Sequence, residues 1–435
     1  MLSHEQNMRM CRTGRGTPMG EAMRRFWIPA LSSFQLPEPD CPPVKVEIMG
    51  EKLVAFRNTE GTVGVLSEKC CHRGASLALG RVEECGIRCL FHGWKFAPDG
   101  TVMETPSVSN PKFRERFTAT AYPVREAGGF IWTYIGPKEL EPEFPHWAFF
   151  DIPENYRTTQ TMICPGNYVG YMEALLDSAH LTLLHRDAFA RNIDTPFATN
   201  ISNAAKGTDP IIEVEDTTFG FHYAAIREVP SDAGPRPHAR VTSFISPFFC
   251  ALANDELLGL IVPMNDTQTL HHFVWWSNKR DKELAKEPHR TNILKFTGLT
   301  DEIMHSFGIH PKTWHLPGHP RRENNFKQDR EAMKNGAYSG VPIFFPEDVA
   351  MLASTEDIRD RSVERFGPGD TPIARLYQTL LALGDTVERG ERPTALDTDP
   401  SNILGRHGFV PEGGHWRDIV PGHTVLRPKP ARQVA

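Results

Sequence analysis

Cys70-Cys71-His72, followed after sixteen residues by Cys89-Leu90-Phe91-His92, is the stretch that decides how the first third of the chain folds. Each half offers one thiolate and one imidazole from a tight loop, and a rigid scaffold has to bring the two loops face to face. The alternation suits a pair of irons, one taking both cysteines and the other both histidines. A Cys2His2 zinc site competes with this reading, but its histidines normally follow its cysteines as a pair. Cys71 adjoins Cys70 and cannot easily face the same cluster, while Cys85 precedes the second loop; both read as packed or loop thiols.

Two histidines distinguish a Rieske [2Fe–2S] centre from the all-cysteine plant type and raise its potential by roughly a few hundred millivolts, so that a plant-type ferredoxin can reduce it. Working outward, residues 2–27 read as one or two short helices punctuated by Gly14, Gly16, Pro18 and Gly20. From Val44 the pattern alternates as in β-strands, through Val44–Met49, Lys52–Arg57 and Thr62–Leu66, and again at Gly129–Ile135. The proline-rich stretch 136–145 reads as a linker. Residues 1–145 are therefore expected to form a cluster domain with an N-terminal helical segment, and Gly93-Trp94 to form a turn under an aromatic lid.

The whole chain, 435 residues, has room for a second domain over residues 146–435. A net charge of −6 argues against nucleic acid or an anionic membrane as the main partner. With no long apolar run and no secretory pattern at the start, a cytoplasmic protein is expected. Eight cysteines, four of them between residues 70 and 89, point to a metal rather than a disulfide scaffold.

The second domain carries Glu173-Ala-Leu-Leu-Asp177-Ser-Ala-His180-Leu-Thr-Leu-Leu-His185, two imidazoles and carboxylates on a short apolar segment. Such donors with open coordination positions suit mononuclear non-haem iron(II). His185 lies five residues beyond His180, an offset of about 140° on an ideal helix. A break, a widened turn or a helix end between Leu181 and Leu184 is therefore expected. Among the acids further on, Asp348 is best placed as a third ligand, on a helix opened by Pro346 with an apolar inward face. Asp329, Asp357 and Asp360 compete, but lie among basic residues that suggest solvated faces. Strand-like runs at 211–229, 239–252 and 257–277 suggest an antiparallel sheet with helices on one side, giving an α+β protein overall. Adjacent His271 and His272 read as one core and one surface histidine. Arg227 and Arg240 are candidates for pairing with a substrate carboxylate, with a surface ion pair as the alternative, and residues 281–322 read as a long loop or cover.

The Cys70–His92 segment resembles the Rieske domain of ring-hydroxylating oxygenases, and the 167–185 stretch resembles the mononuclear iron motif of the same Rieske non-haem iron oxygenases. The resemblance implies that Cys70, His72, Cys89 and His92 bind the cluster and that His180 and His185 bind iron(II). It makes Asp177 the bridge between a cluster histidine of one subunit and an iron-binding histidine of the next in a ring-shaped trimer. Residues 324–330, 347–348 and 360–370 resemble the phthalate dioxygenase branch, which implies Asp348 as the third iron ligand. One departure is Glu347, where that branch usually has glutamine.

The implied function is that of a terminal oxygenase using O2 to hydroxylate or O-demethylate an aromatic, carboxylate-bearing substrate. The chain has no Gly-x-Gly-x-x-Gly after a strand and no plant-type cysteine run, so electrons are expected from a partner. That partner would be an NAD(P)H-dependent reductase carrying flavin and a ferredoxin-type cluster, or a separate ferredoxin. Two other readings remain open at this point: a Rieske electron-transfer protein with a non-catalytic second domain, and a zinc-dependent hydrolase with a structural zinc finger.

Overall fold

A computed structural model describes residues 2–191, 209–232, 234–254 and 256–420. The chain divides into two compact units, Thr13–Phe144 and a larger one made of Met1–Arg12 with Pro145–Ala435. The first helix, α1 (His4–Cys11), starts with Ser3 and Gln6 in a reciprocal capping box. Its residues were expected in the cluster domain but pack into the larger unit. Met10 and Cys11 are buried there, and the Tyr168 hydroxyl and Asn167 side-chain amide donate to the carbonyls of Met10 and Cys11 at 2.8 and 2.9 Å.

The smaller unit begins with α2 (Pro18–Met23), capped by Thr17 with proline in its first turn. Three antiparallel sheets follow. Strand β1 (Ile28–Ser32) pairs with β11 (Phe130–Thr133), which pairs with β10 (Val124–Ala127). Strands β2 (Val44–Ile48), β3 (Glu51–Arg57), β4 (Val63–Ser67) and β9 (Ala121–Tyr122) form the second sheet in that order. The third runs β5 (Arg81–Glu83), β6 (Gly86–Arg88), β7 (Lys95–Phe96) and β8 (Val102–Glu104), and its β6–β7 connection is the second cysteine–histidine loop. Glu84 and Cys85 form the two-residue turn between β5 and β6, both with positive φ.

In the larger unit an eight-stranded antiparallel sheet runs in the order β12 (Arg157–Pro165), β18 (Gln268–Trp276), β17 (Leu257–Asn265), β16 (Phe249–Ala251), β15 (Gly234–Ile245), β14 (Gly220–Ser231) and β13 (Ile211–Asp216). Strand β19 (Arg406–Phe409) pairs with β15. Every residue of β17 from Leu257 to Met264 is buried, as is β18 from Thr269 to Trp276, so these central strands are covered on both faces. His271 and His272 are accordingly both core residues. His272 bonds Thr161 Oγ1 at 2.8 Å, whereas neither His271 nitrogen has a hydrogen-bond partner, and burial pushes that ring well below its ordinary pKa.

Helix α3 (Tyr168–Leu176), capped by Asn167, lies against β17. It fits closely because position 259 is glycine; a Cβ there would come 2.7 Å from Leu175 Cδ1. Beyond it come α4 (His180–Leu184) and α5 (Arg186–Ala190). The stretch 281–322 is not an extended loop, since it contains α6 (His289–Thr297) and α7 (Asp301–Phe307), each ended by a left-handed glycine. Its charged exterior hides the buried face of Ile293, Leu294, Phe296, Met304 and Phe307. Helix α8 (Arg330–Lys334), helix α9 (Phe345–Ser354) and the long α10 (Thr371–Glu388) complete the unit.

Candidate metal centres

The two cysteine–histidine loops are built alike. In the first, the Cys70 N–H donates to the Ala75 carbonyl and the Gly74 N–H to the Cys70 carbonyl, both at 2.8 Å. In the second, the Cys89 N–H donates to Trp94 at 2.8 Å and the Gly93 N–H to Cys89 at 2.9 Å. Each loop turns on a left-handed glycine four residues after its cysteine, Gly74 at φ 73° and Gly93 at φ 75°. Cys70 and Cys89 are buried with Phe56, Leu66, Ile87 and Phe96, whereas the two imidazoles meet edge to face with centroids 4.6 Å apart. Trp94 stacks flat on His72 at 4.6 Å, and Phe113 and Phe117 cover the indole.

Burial pushes the Cys70 thiol up to about 11 against a hydrogen bond from the His72 backbone, and the adjoining Cys89 thiol adds to the push. Two cysteines held this close suit a shared metal, which would stabilise their thiolate forms. No three of the donors of Cys70, His72, Cys89 and His92 come within 4.8 Å of one another. A single tetrahedral zinc needs tighter convergence, whereas a two-iron cluster accepts the wider spread. Cys71 is exposed on its loop and Cys85 lies in the β5–β6 turn.

In the larger unit the 173–185 segment is interrupted twice, once before the expected interval. Helix α3 ends at Leu176; Asp177 is extended at φ −97°, ψ 124°, and α4 starts at His180. The second interruption is the expected helix end: α4 stops at Leu184, and His185, at ψ 16°, separates it from α5. Asp177 caps this junction, accepting from the Ala179 N–H at 2.7 Å and from His180 Nδ1 at 3.1 Å. Arg227 also serves the junction, donating to the Ser178 carbonyl at 3.1 Å. Burial raises the Asp177 carboxyl, but hydrogen bonds from His180 and nearby backbone N–H groups outweigh it and hold the group below the usual carboxylate range.

These bends put His180, His185 and Asp348 together. Among the described residues they form the only group of three or more histidine, cysteine or acidic side chains whose donor atoms all lie within 4.8 Å. Asp348 Oδ1 is 3.1 Å from His185 Nε2 and 3.6 Å from His180 Nε2. His185 Nε2 is nevertheless a buried nitrogen without a hydrogen bond. An orphaned buried nitrogen beside a second imidazole and a carboxylate fits a divalent metal. Burial opposes charge on His185, but Asp348 and Glu347 outweigh it and push the ring up to about 9.

The competing acids have other tasks. Asp329 caps α8 through Ala332, Asp357 pairs with Arg322 at the surface, and Asp360 caps a short turn through Ser362. Two cavities flank the triad. One, of about 660 Å³, is bordered by Glu173, Asp177, Gln328, Met351 and Arg365. The narrower one, on the sheet side, is walled by Tyr223, Arg240, Trp275, Phe296 and Phe345. Phe296 lies on the undetected α6, so no sequence signal pointed to it. Glu347 was noted only as a departure, yet it is fully buried with Oε2 2.8 Å from His185 Nδ1.

Comparison with known proteins agrees with these two centres. The family described as Rieske [2Fe-2S] domain matches residues 26–123, and that described as LigXa C-terminal domain like matches residues 133–426. The phthalate 4,5-dioxygenase oxygenase subunit of Pseudomonas putida is 36% identical over 432 residues, covering 96% of this chain and 94% of its own. The 3-chlorobenzoate-3,4-dioxygenase oxygenase subunit of Comamonas testosteroni is 32% identical, covering 96% and 97%. The 5,5'-dehydrodivanillate O-demethylase oxygenase subunit of Sphingobium sp. is 28% identical, covering 92% and 85%. Among solved structures, the NdmA QL mutant of Pseudomonas putida CBB5 with theobromine shares the fold at a TM-score of 0.58 and 16% identity, over 89% of this chain and 98% of that one. Oxygenase components of this kind work with a separate reductase or ferredoxin and act on aromatic compounds. The chain thus belongs, as an oxygenase subunit, to the Rieske non-haem iron aromatic oxygenases, in the branch of phthalate 4,5-dioxygenase.

Proposed function

We propose that this subunit oxygenates an aromatic carboxylate, with His180, His185 and Asp348 holding iron(II) and Cys70, His72, Cys89 and His92 holding the cluster. When bound, the cluster supplies single electrons and the iron supplies the site where O2 is activated. Asp177 holds His180 by its Nδ1 and borders the wide cavity, which supports its reading as the bridge to a cluster histidine of a neighbouring copy in a homotrimer. The electrons would come from a flavin- and ferredoxin-type reductase in the cytoplasm; no helix among the described residues is long and apolar enough to cross a membrane.

Arg240 carries the substrate reading. It lines the narrow cavity with His180 and Asp348 and is fully buried; burial lowers its guanidinium to about 10, still charged at neutral pH. A buried cation among aromatic side chains suits a ring with one carboxylate, holding the acid while apolar walls exclude water from the ring. Ring hydroxylation and O-demethylation use the same arrangement. The test is reconstitution with a flavin–ferredoxin reductase against phthalates, chlorobenzoates and methoxybenzoates, tracking product together with O2 consumption. Arg240→Gln should raise KM for the acid by about tenfold or more, from the loss of a charged hydrogen bond worth roughly 1.5–3 kcal/mol. An acid-independent KM, or no aromatic acid that stimulates O2 use, would sink the substrate assignment and leave the metal ligands standing.

A further inference from the structure

Glu347 and Asp348, adjacent on the first turn of α9, grip opposite sides of one imidazole. Asp348 approaches His185 at Nε2, and Glu347 Oε2 takes the Nδ1 side at 2.8 Å. The same Oε2 accepts the Phe344 N–H at 3.0 Å, and Oε1 accepts the Ser339 hydroxyl at 2.6 Å. Both carboxylate oxygens thus face groups able to donate a hydrogen bond. The Phe344 ring stacks on the face of His185 at 4.2 Å and 10°. His185 is thus held at its edge and on its face, with only Nε2 left for a metal. The two imidazoles also differ in their supports, since Asp177 behind His180 is 30% exposed at its side chain and Glu347 behind His185 is at 0%.

We propose that Glu347 is a positioning residue for the iron, a buried anionic acceptor that keeps the His185 proton on Nδ1, aims Nε2 at the metal and strengthens the imidazole as a donor. A carboxylate behind a metal-bound histidine does this generally, and its loss costs about 10–100-fold in metal affinity. Its burial makes it a permanent part of the site, in contrast to Asp177, which borders the open cavity. The proposal rests on the reading of His185 as an iron ligand.

The experiment is anaerobic iron(II) titration of the full-length protein with its cluster in place, in competition with a chromophoric chelator. Glu347→Gln preserves shape and removes the charge; its amide oxygen can still accept from Nδ1 and Phe344 while its NH2 faces the Ser339 oxygen. It should weaken iron(II) binding by about tenfold, and Glu347→Ala by about 100-fold, with the cluster absorbance unchanged. Ser339→Ala removes the partner of Oε1 and leaves the bonds from His185 and Phe344 to Oε2, so its affinity should stay within about twofold of the parent. Parent-like affinity in Glu347→Gln overturns the proposal, as does an equal loss in Ser339→Ala, which would mean that the loop alone is being held. If Glu347→Gln does not fold, Glu347→Asp takes its place; it keeps the charge, draws the carboxylate back by one methylene, and should also lose about tenfold. His185→Ala separates the two claims. Parent affinity there removes His185 from the iron, whereas lost binding there with parent affinity in Glu347→Gln refutes only the role of Glu347.

Discussion

Asp177 illustrates how one carboxylate can serve two local tasks. Its carboxylate caps the break between α3 and α4 and at the same time orients His180. Asparagine keeps the capping oxygen but removes the charge, so Asp177→Asn should retain both metal centres, by iron assay and cluster spectrum, and lose nearly all turnover. Normal turnover would end the bridge assignment. His185 permits a prediction in pH. Its raised value of about 9 means that iron(II) entering the metal-free site at pH 7 displaces a proton. Apparent iron affinity should therefore rise by up to about tenfold per pH unit from 7 and level off near 9, measurable by the same chelator competition. In the metal-free fold the same shift gives stability that is full below about 6.5 and lost as pH rises through about 9. The donor types at residues 70–92 and 180–185 were legible because metal chemistry restricts them to cysteine, histidine and acids. Glu347 was less legible, since a buried carboxylate and a solvated one look identical until the partners are seen.

At the level of elements, α3 is held from behind. Glu173 receives Arg361 at 2.6 Å, Arg359 at 2.5 Å and the Tyr377 hydroxyl of α10 at 2.6 Å. Burial raises the Glu173 carboxyl, but the two arginines outweigh it and leave it below the usual range. Glu173→Gln strands the buried Arg361 guanidinium and should cost about 3–5 kcal/mol by urea denaturation at pH 7. Because the folded value is depressed, this contribution is present above about 4.5 and lost as pH falls through the folded value, so parent and variant should converge in acid. The strands at 44–66, 130–133 and 211–276 were readable as β-prone runs, and α9 from Pro346 and its apolar face, whereas the two- and three-residue strands β5 to β8 are too short to show a pattern. Helices α6 and α7 were not, because Lys, His, Pro and Gly around them mask short buried faces. The angular mismatch between His180 and His185 locates the end of α4 at Leu184 but carries no sign of the earlier break at Asp177. Asp177 provided the cap and His185 the second bend, and neither position breaks helices by its residue type alone.

For the molecule as a whole, the assignment of α1 changes how the chain is partitioned. A short polar helix next to a β domain in sequence looks local to it, and only its partners 150 or more residues away show otherwise, such as Met10 with Tyr168. Removing residues 2–12 should lower the stability of the larger unit by at least about 3 kcal/mol, from two buried side chains at roughly 1.5–3 kcal/mol each. Calorimetry should show this with the cluster absorbance intact; loss of the cluster instead would place α1 with the smaller unit.

That placement has a consequence for the order in which the protein is made. The Asn7 amide donates to the Arg359 carbonyl, 352 residues later. At about 5–20 residues per second, the first helix waits roughly 18–70 s on the ribosome before its partner emerges. Thr13–Phe144 is complete long before that, so the nascent chain can load the loops proposed to hold the cluster while Asp348, the last of the proposed ligands for the mononuclear iron, has yet to be translated.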